Sequence, residues 1–79
     1  MERNKFESKM LEAKTMCEIE NRPDYWTGYM RGLRRAYHGE RFGTTEEHQR
    51  FSDAIHSDDV SRAELGRGYI DGLEEGMKS

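Results

Sequence analysis

Apolar residues in this chain recur with helical spacing, and short polar runs interrupt the pattern. Phe6, Met10, Ala13 and Cys17 fall on one stripe, with Met16 and Ile19 beside it. That spacing predicts an amphipathic helix over residues 2 to about 20, with glutamates and lysines filling its other face. Asn21-Arg22-Pro23-Asp24 stops this helix and starts the next. Proline cannot continue a helix, but its fixed φ suits the first turn of a new one. Asp24 then lies where the helix dipole favours an anion. The second predicted helix runs from about Pro23 to His38, with Trp26, Tyr29, Met30, Leu33 and Tyr37 as its apolar stripe. Gly39 is its natural stop, and the arginines near its end suit the negative pole.

His38 to Gly43 reads as a loop in which Phe42, between two glycines, pins the segment to the core. Thr44-Thr45-Glu46-Glu47 has the form of a capping box, with Thr44 as cap and Glu47 reaching back. A short third helix follows to about His56, turning Phe51, Ala54 and Ile55 inward. Ser57 is the expected cap of a fourth helix, from about Asp58 to Gly76, with Val60, Leu65, Tyr69, Ile70 and Leu73 apolar. No useful stretch alternates with period two. The expectation is an all-α, four-helix domain spanning residues 1–79.

A repeat lies on this pattern. Gly28-Tyr29-Met30-Arg31-Gly32-Leu33-Arg34-Arg35 returns as Gly68-Tyr69-Ile70-Asp71-Gly72-Leu73-Glu74-Glu75, with each arginine replaced by an acid. Glycine inside a helix costs about 1 kcal/mol against alanine. Helices two and four carry Gly28, Gly32, Gly66, Gly68, Gly72 and Gly76, so packing has to offset a cost that is large for a small domain. Gly28/Gly32 and Gly68/Gly72/Gly76 recur every four residues and line one face each. Faces of that kind let two backbones approach closely. Helices two and four are therefore expected to meet through Gly28, Gly32, Gly68 and Gly72, within one chain or across a homodimer. Arg31, Arg34 and Arg35 would then face Asp71, Glu74 and Glu75 along the rim.

Composition narrows the chemistry. At 79 residues a core is small, and such chains often gain stability from partners. The lone Cys17 excludes an intrachain disulfide and any zinc site built on several cysteines, and suits a reducing cytoplasm. No apolar run is long enough to span a membrane. The net charge of -3 argues against general nucleic-acid binding. Charge is nevertheless uneven: residues 57–79 are acidic, while arginines cluster in residues 22–41. Arg31, Arg34, Arg35, Tyr37 and Arg41 form a candidate partner surface, because arginine beside aromatic residues is the composition of protein hot spots. Asp71, Glu74 and Glu75 form an alternative acidic patch, able to mimic phosphates. His38, His48 and His56 match no metal-ligand spacing. No catalytic constellation, metal site or cofactor motif is readable, so a non-enzymatic role is expected.

The stretch from Tyr25 to His48, with Gly-Tyr-x-x-Gly-Leu-Arg-Arg-x-Tyr-His-Gly-Glu-x-Phe-Gly-Thr at its centre, resembles small phage and prophage accessory proteins. Proteins of this type include blockers of host defence, anti-CRISPR proteins among them. The resemblance implies a stoichiometric inhibitor of a host protein or ribonucleoprotein complex in the bacterial cytoplasm. Two other readings stand beside it. One is a small nucleic-acid-binding regulator using the same arginines. The other is a ligand-binding oligomer with a glycine/tyrosine pocket between subunits.

Overall fold

The computed structural model describes residues 2–39 and 45–78, and these form four helices. They are α1 (Arg3–Ile19), α2 (Pro23–His38), α3 (Thr45–Ala54) and α4 (Val60–Met77). Pro23 opens α2 and Gly39 closes it, at φ 85° and ψ -172°. That backbone conformation is essentially reserved for glycine. The start of α4 departs from expectation. Asp59, not Ser57, is the cap, its carboxylate accepting from the backbone N–H groups of Ser61 and Arg62. Ser57 Oγ instead accepts from the Asp59 N–H at 3.1 Å and holds that cap in place. Phe42 and the Thr44 cap lie outside the described residues.

The centre of the fold is the α2–α4 interface, the most extensive in the molecule. Gly28 faces the backbone of Leu65 and Tyr69, and Gly32 faces that of Tyr69 and Leu73. In return, Gly68 faces Tyr25 and Tyr29, and Gly72 faces Tyr29 and Leu33. Contacts advance together along both helices, so α2 and α4 run in the same direction. They are also reciprocal under an offset of 40 residues, from Gly28 to Gly68. The two copies of the repeat are thus related by a pseudo-two-fold axis. A Cβ at any of these four glycines would overlap a carbonyl oxygen of the opposite helix. Glycine Cα hydrogens thereby face carbonyl oxygens, a recurrent weak bond at close helix contacts.

Each inner helix carries an antiparallel outer one. Phe6 of α1 stacks on Tyr37 of α2, centroids 4.1 Å apart and planes 9° from parallel. Phe51 of α3 stacks on Tyr69 of α4 at 4.6 Å. Gly66 makes the second contact possible, since a Cβ there would come within 2.7 Å of the Phe51 carbonyl oxygen. The Cα envelope is flat, 36 × 31 × 17 Å. Its thinness explains a core in which only Ala13, Leu33 and Tyr69 are buried hydrophobic side chains among the described residues. Two residues assigned to apolar stripes lie outside it: Ile19 is 72% exposed and Val60 76%. Both sit at helix ends, Ile19 at the last position of α1 and Val60 at the first of α4. None of the helices is long and apolar enough to cross a membrane.

Candidate functional site

The inverted charges of the repeat do not meet one another across α2 and α4. Arg31 Nε donates to Glu47 of α3, and Lys9 of α1 pairs with Glu75 at 3.1 Å. Asp71 accepts from the Tyr25 hydroxyl. The glycine contact explains the difference. Backbones this close leave the flanking long side chains pointing past the opposite helix, toward the helix lying over it. Lys9 and Glu47 are of opposite sign, so the inversion between the inner helices matches an inversion between the outer ones. Both pairs are part-exposed, and pairs of this kind contribute about 0–1 kcal/mol each. Their hydrogen bonds still hold the two carboxyls below the usual glutamate range, Glu47 through Arg31 and Glu75 through Lys9.

These contacts sort the candidate surface residues. Exposed Asp71 and half-buried Glu75 are bonded within the chain, whereas exposed Glu74 makes no ion pair among the described residues. Tyr37 is half-buried under Phe6 and packs edge-on against His38, 5.0 Å away. Arg34 is exposed and makes no ion pair among the described residues. Arg35 is half-buried beside a recess lined by Ala36, Thr45, His48, Leu73 and Met77. Arg41 lies outside the described residues. The glycine faces are filled by opposing backbone within the chain and present no open surface.

Folding adds two arginines that linear spacing missed. An open cleft of about 440 Å³ is lined by Arg31 of α2, Glu47, Arg50, Phe51 and Ala54 of α3, and Arg62 and Leu65 of α4. Its rim carries three guanidinium groups and one carboxylate, and its apolar lining comes from Phe51, Ala54 and Leu65. Arg50 and Arg62 stand on separate segments with no motif between them, so no local signal announces that they converge. The basic flank of α2 therefore continues onto α3 and α4.

The polar groups nearest the core are committed to structure. The Tyr69 ring is 1% exposed, and its hydroxyl lies 2.7 Å from His48 Nδ1. The Trp26 indole N–H donates to Glu20 at 2.9 Å, tying the end of α1 to the start of α2. The Cys17 thiol lies 3.9 Å from the Pro23 carbonyl oxygen. No group of three or more His, Cys, Asp or Glu side chains among the described residues is arranged to hold a metal ion. In comparisons with known proteins, no family model matches the chain, and no curated protein or solved structure matches it significantly.

Proposed function

We propose that this chain acts by stoichiometric binding, laying its arginine-rich flank against an acidic surface of a partner protein or ribonucleoprotein complex. The observation that carries this reading is the convergence of Arg31, Arg50 and Arg62, from three helices, on one cleft. Exposed Arg34 and half-buried Arg35 extend the same flank along α2. Arginine suits this role because its planar fork grips carboxylates and stacks on aromatic rings. Interfaces also need charges that are not already spent. By that criterion Arg34, Arg50 and Arg62, which make no ion pair among the described residues, are better placed than Asp71 and Glu75, which hold Tyr25 and Lys9. Catalysis is not favoured: His48 is held against Tyr69, and Cys17 against a backbone carbonyl. The resemblance to phage accessory proteins supports a bacterial defence complex, such as a CRISPR effector, as the partner, met in the host cytoplasm.

The test compares immobilised wild-type chain with Arg34→Glu/Arg50→Glu and with Glu74→Lys as baits in bacterial lysate, followed by affinity measurement on the purified partner. The expected result is a stoichiometric partner retained by wild type and Glu74→Lys and lost by the double reversal. A partner lost with Glu74→Lys and kept by the arginine variant would transfer the function to the acidic face. Retention of nucleic acid alone, weakening steeply with salt, would replace the protein partner with DNA or RNA.

A further inference from the structure

The glycine contact between α2 and α4 is made by backbone, so it does not by itself choose the partner of either helix. In a pair of two α4 helices, Gly68 and Gly72 would face the backbone of Leu65, Tyr69 and Leu73, as Gly28 and Gly32 do. Other residues have to make unlike helices pair. The 40-residue offset gives what each observed contact becomes when a hairpin meets a second copy of itself. Lys9 of α1 lies 3.1 Å from Glu75; in the like pair it would meet Arg35 of the second copy. Glu47 of α3 accepts from Arg31; in the like pair it would meet Asp71 of the second copy. Both attractions become repulsions. The Tyr25 hydroxyl, which donates to Asp71, would face an arginine instead. Arg22–Glu64 does not discriminate, because Asp24 is the equivalent of Glu64. The glycine spacing itself breaks at one place, where Ala36 is the equivalent of Gly76. A Cβ on Gly76 would overlap the Cβ of Ala36, so two α2 helices would collide there.

We propose that Lys9, Ala36 and Glu47 decide which helices pair: they bar each hairpin from a second copy of itself and leave the unlike hairpin as the partner of its glycine face. The inverted charges of the repeat are then half of a pairing code, and the charges of Lys9 on α1 and Glu47 on α3 are the other half. Like charges set against an unwanted partner are a general source of specificity. Here their effect is doubled, because every contact in a symmetric pair occurs twice. The ion pairs thus select more than they stabilise, which suits their part-exposed positions. The two hairpins are guarded differently. Charge and the Ala36 collision both act on α1–α2. Charge acts alone on α3–α4, where Gly76 leaves the helix face smooth.

The test needs only the purified full chain and no partner, so its failure leaves the binding reading standing. Lys9→Glu/Ala36→Gly/Glu47→Lys makes both like pairings attractive, removes the collision and sets both unlike pairs in repulsion. Sedimentation equilibrium measures its mass and circular dichroism its helix content. The variant is expected to stay helical and to self-associate roughly tenfold more tightly than wild type, as several exposed pairs change sign together. Isotope-filtered NMR on mixed labelled and unlabelled variant is expected to show α4 touching α4 across copies. Adding Arg31→Glu and Glu75→Lys restores attraction in the unlike pairs and is expected to return self-association to the wild-type level. A triple variant that associates no more than wild type, or that unfolds without associating, would overturn the proposal. So would association that the two added reversals fail to undo, or α2–α4 contacts alone across the copies.

Discussion

The carbonyl oxygen of Tyr25 occupies the place where a side chain on Gly68 would begin, and the same holds for Leu65 and Gly28. Glycine is therefore required at these positions by a neighbouring backbone, which has no rotamer with which to yield. Replacement by alanine gains about 1 kcal/mol of helix propensity but forces the helices apart, and overpacking of this kind costs about 1–3 kcal/mol or more. Because the two helices are the centre of the fold, the separation propagates to every contact between them. Gly28→Ala and Gly68→Ala are each expected to lower stability by roughly 2 kcal/mol, about 8–16 °C in a domain of this size. Thermal and urea unfolding followed by circular dichroism measure it. A stability equal to or above wild type would show that the helices are free to separate.

How far this arrangement was legible along the chain depends on the range of the interaction. The spacing of Gly28, Gly32, Gly68 and Gly72 marked the α2–α4 face, because four-residue periodicity is a local property of a helix. The partners of Arg31 and Glu75 were not legible, because they depend on where α1 and α3 settle after the inner helices have met. Arg50 and Arg62 were missed for the same reason. Neither belongs to the repeat, and only the packing of α3 on α4 brings them to Arg31.

The attachment of α1 rests on few contacts. Ala13 is its one buried residue, and Phe6 stacked on Tyr37 anchors its first turns. Phe6→Ala is expected to loosen α1 while α2 and α4 hold. Hydrogen exchange should show protection lost across residues 3–12 and kept at Gly32, Leu33 and Tyr69. Uniform loss across the chain would mean that α1 belongs to the same cooperative unit.

Acid should weaken the contacts between the hairpins. Glu47 and Glu75 have folded-state pKa values held below the ordinary glutamate value by Arg31 and Lys9. A depressed carboxyl contributes stability above its unfolded pKa and loses it as pH falls through the folded one. The contribution is thus present at neutral pH and declines below about pH 4.3. Glu47→Gln/Glu75→Gln is expected to lower neutral-pH stability slightly and to flatten the acid limb. Urea midpoints from pH 7 to pH 3 provide the comparison; parallel limbs in both proteins would exclude these pairs as the source.

At alkaline pH the tyrosines set the limit. Burial pushes the hydroxyls of Tyr25, Tyr29 and Tyr69 upward, and for Tyr25 the bond to Asp71 adds to it. A raised tyrosine contributes stability that is complete below the unfolded value, about pH 10, and is lost as pH rises toward the folded one. Phenolate absorbance should lag behind that of free tyrosine and then rise together with loss of helical signal. Tyr25→Phe is expected to reduce the lag, and a wild-type titration that follows free tyrosine would contradict it.

Local chemistry along the chain determined the four helices and the two glycine faces. Periodicity, the Pro23 start and the Gly39 stop act over a single turn or two and need no knowledge of the rest. Tertiary structure decided how those faces were used. It ran α2 and α4 in the same direction about a pseudo-two-fold axis and turned the inverted charges outward to Lys9 and Glu47. It also left Leu65 where the other half places Tyr25. The reason is geometric: a glycine contact brings backbones so close that longer side chains find their partners on the next helix over. Which helix lies there is settled only by the complete fold.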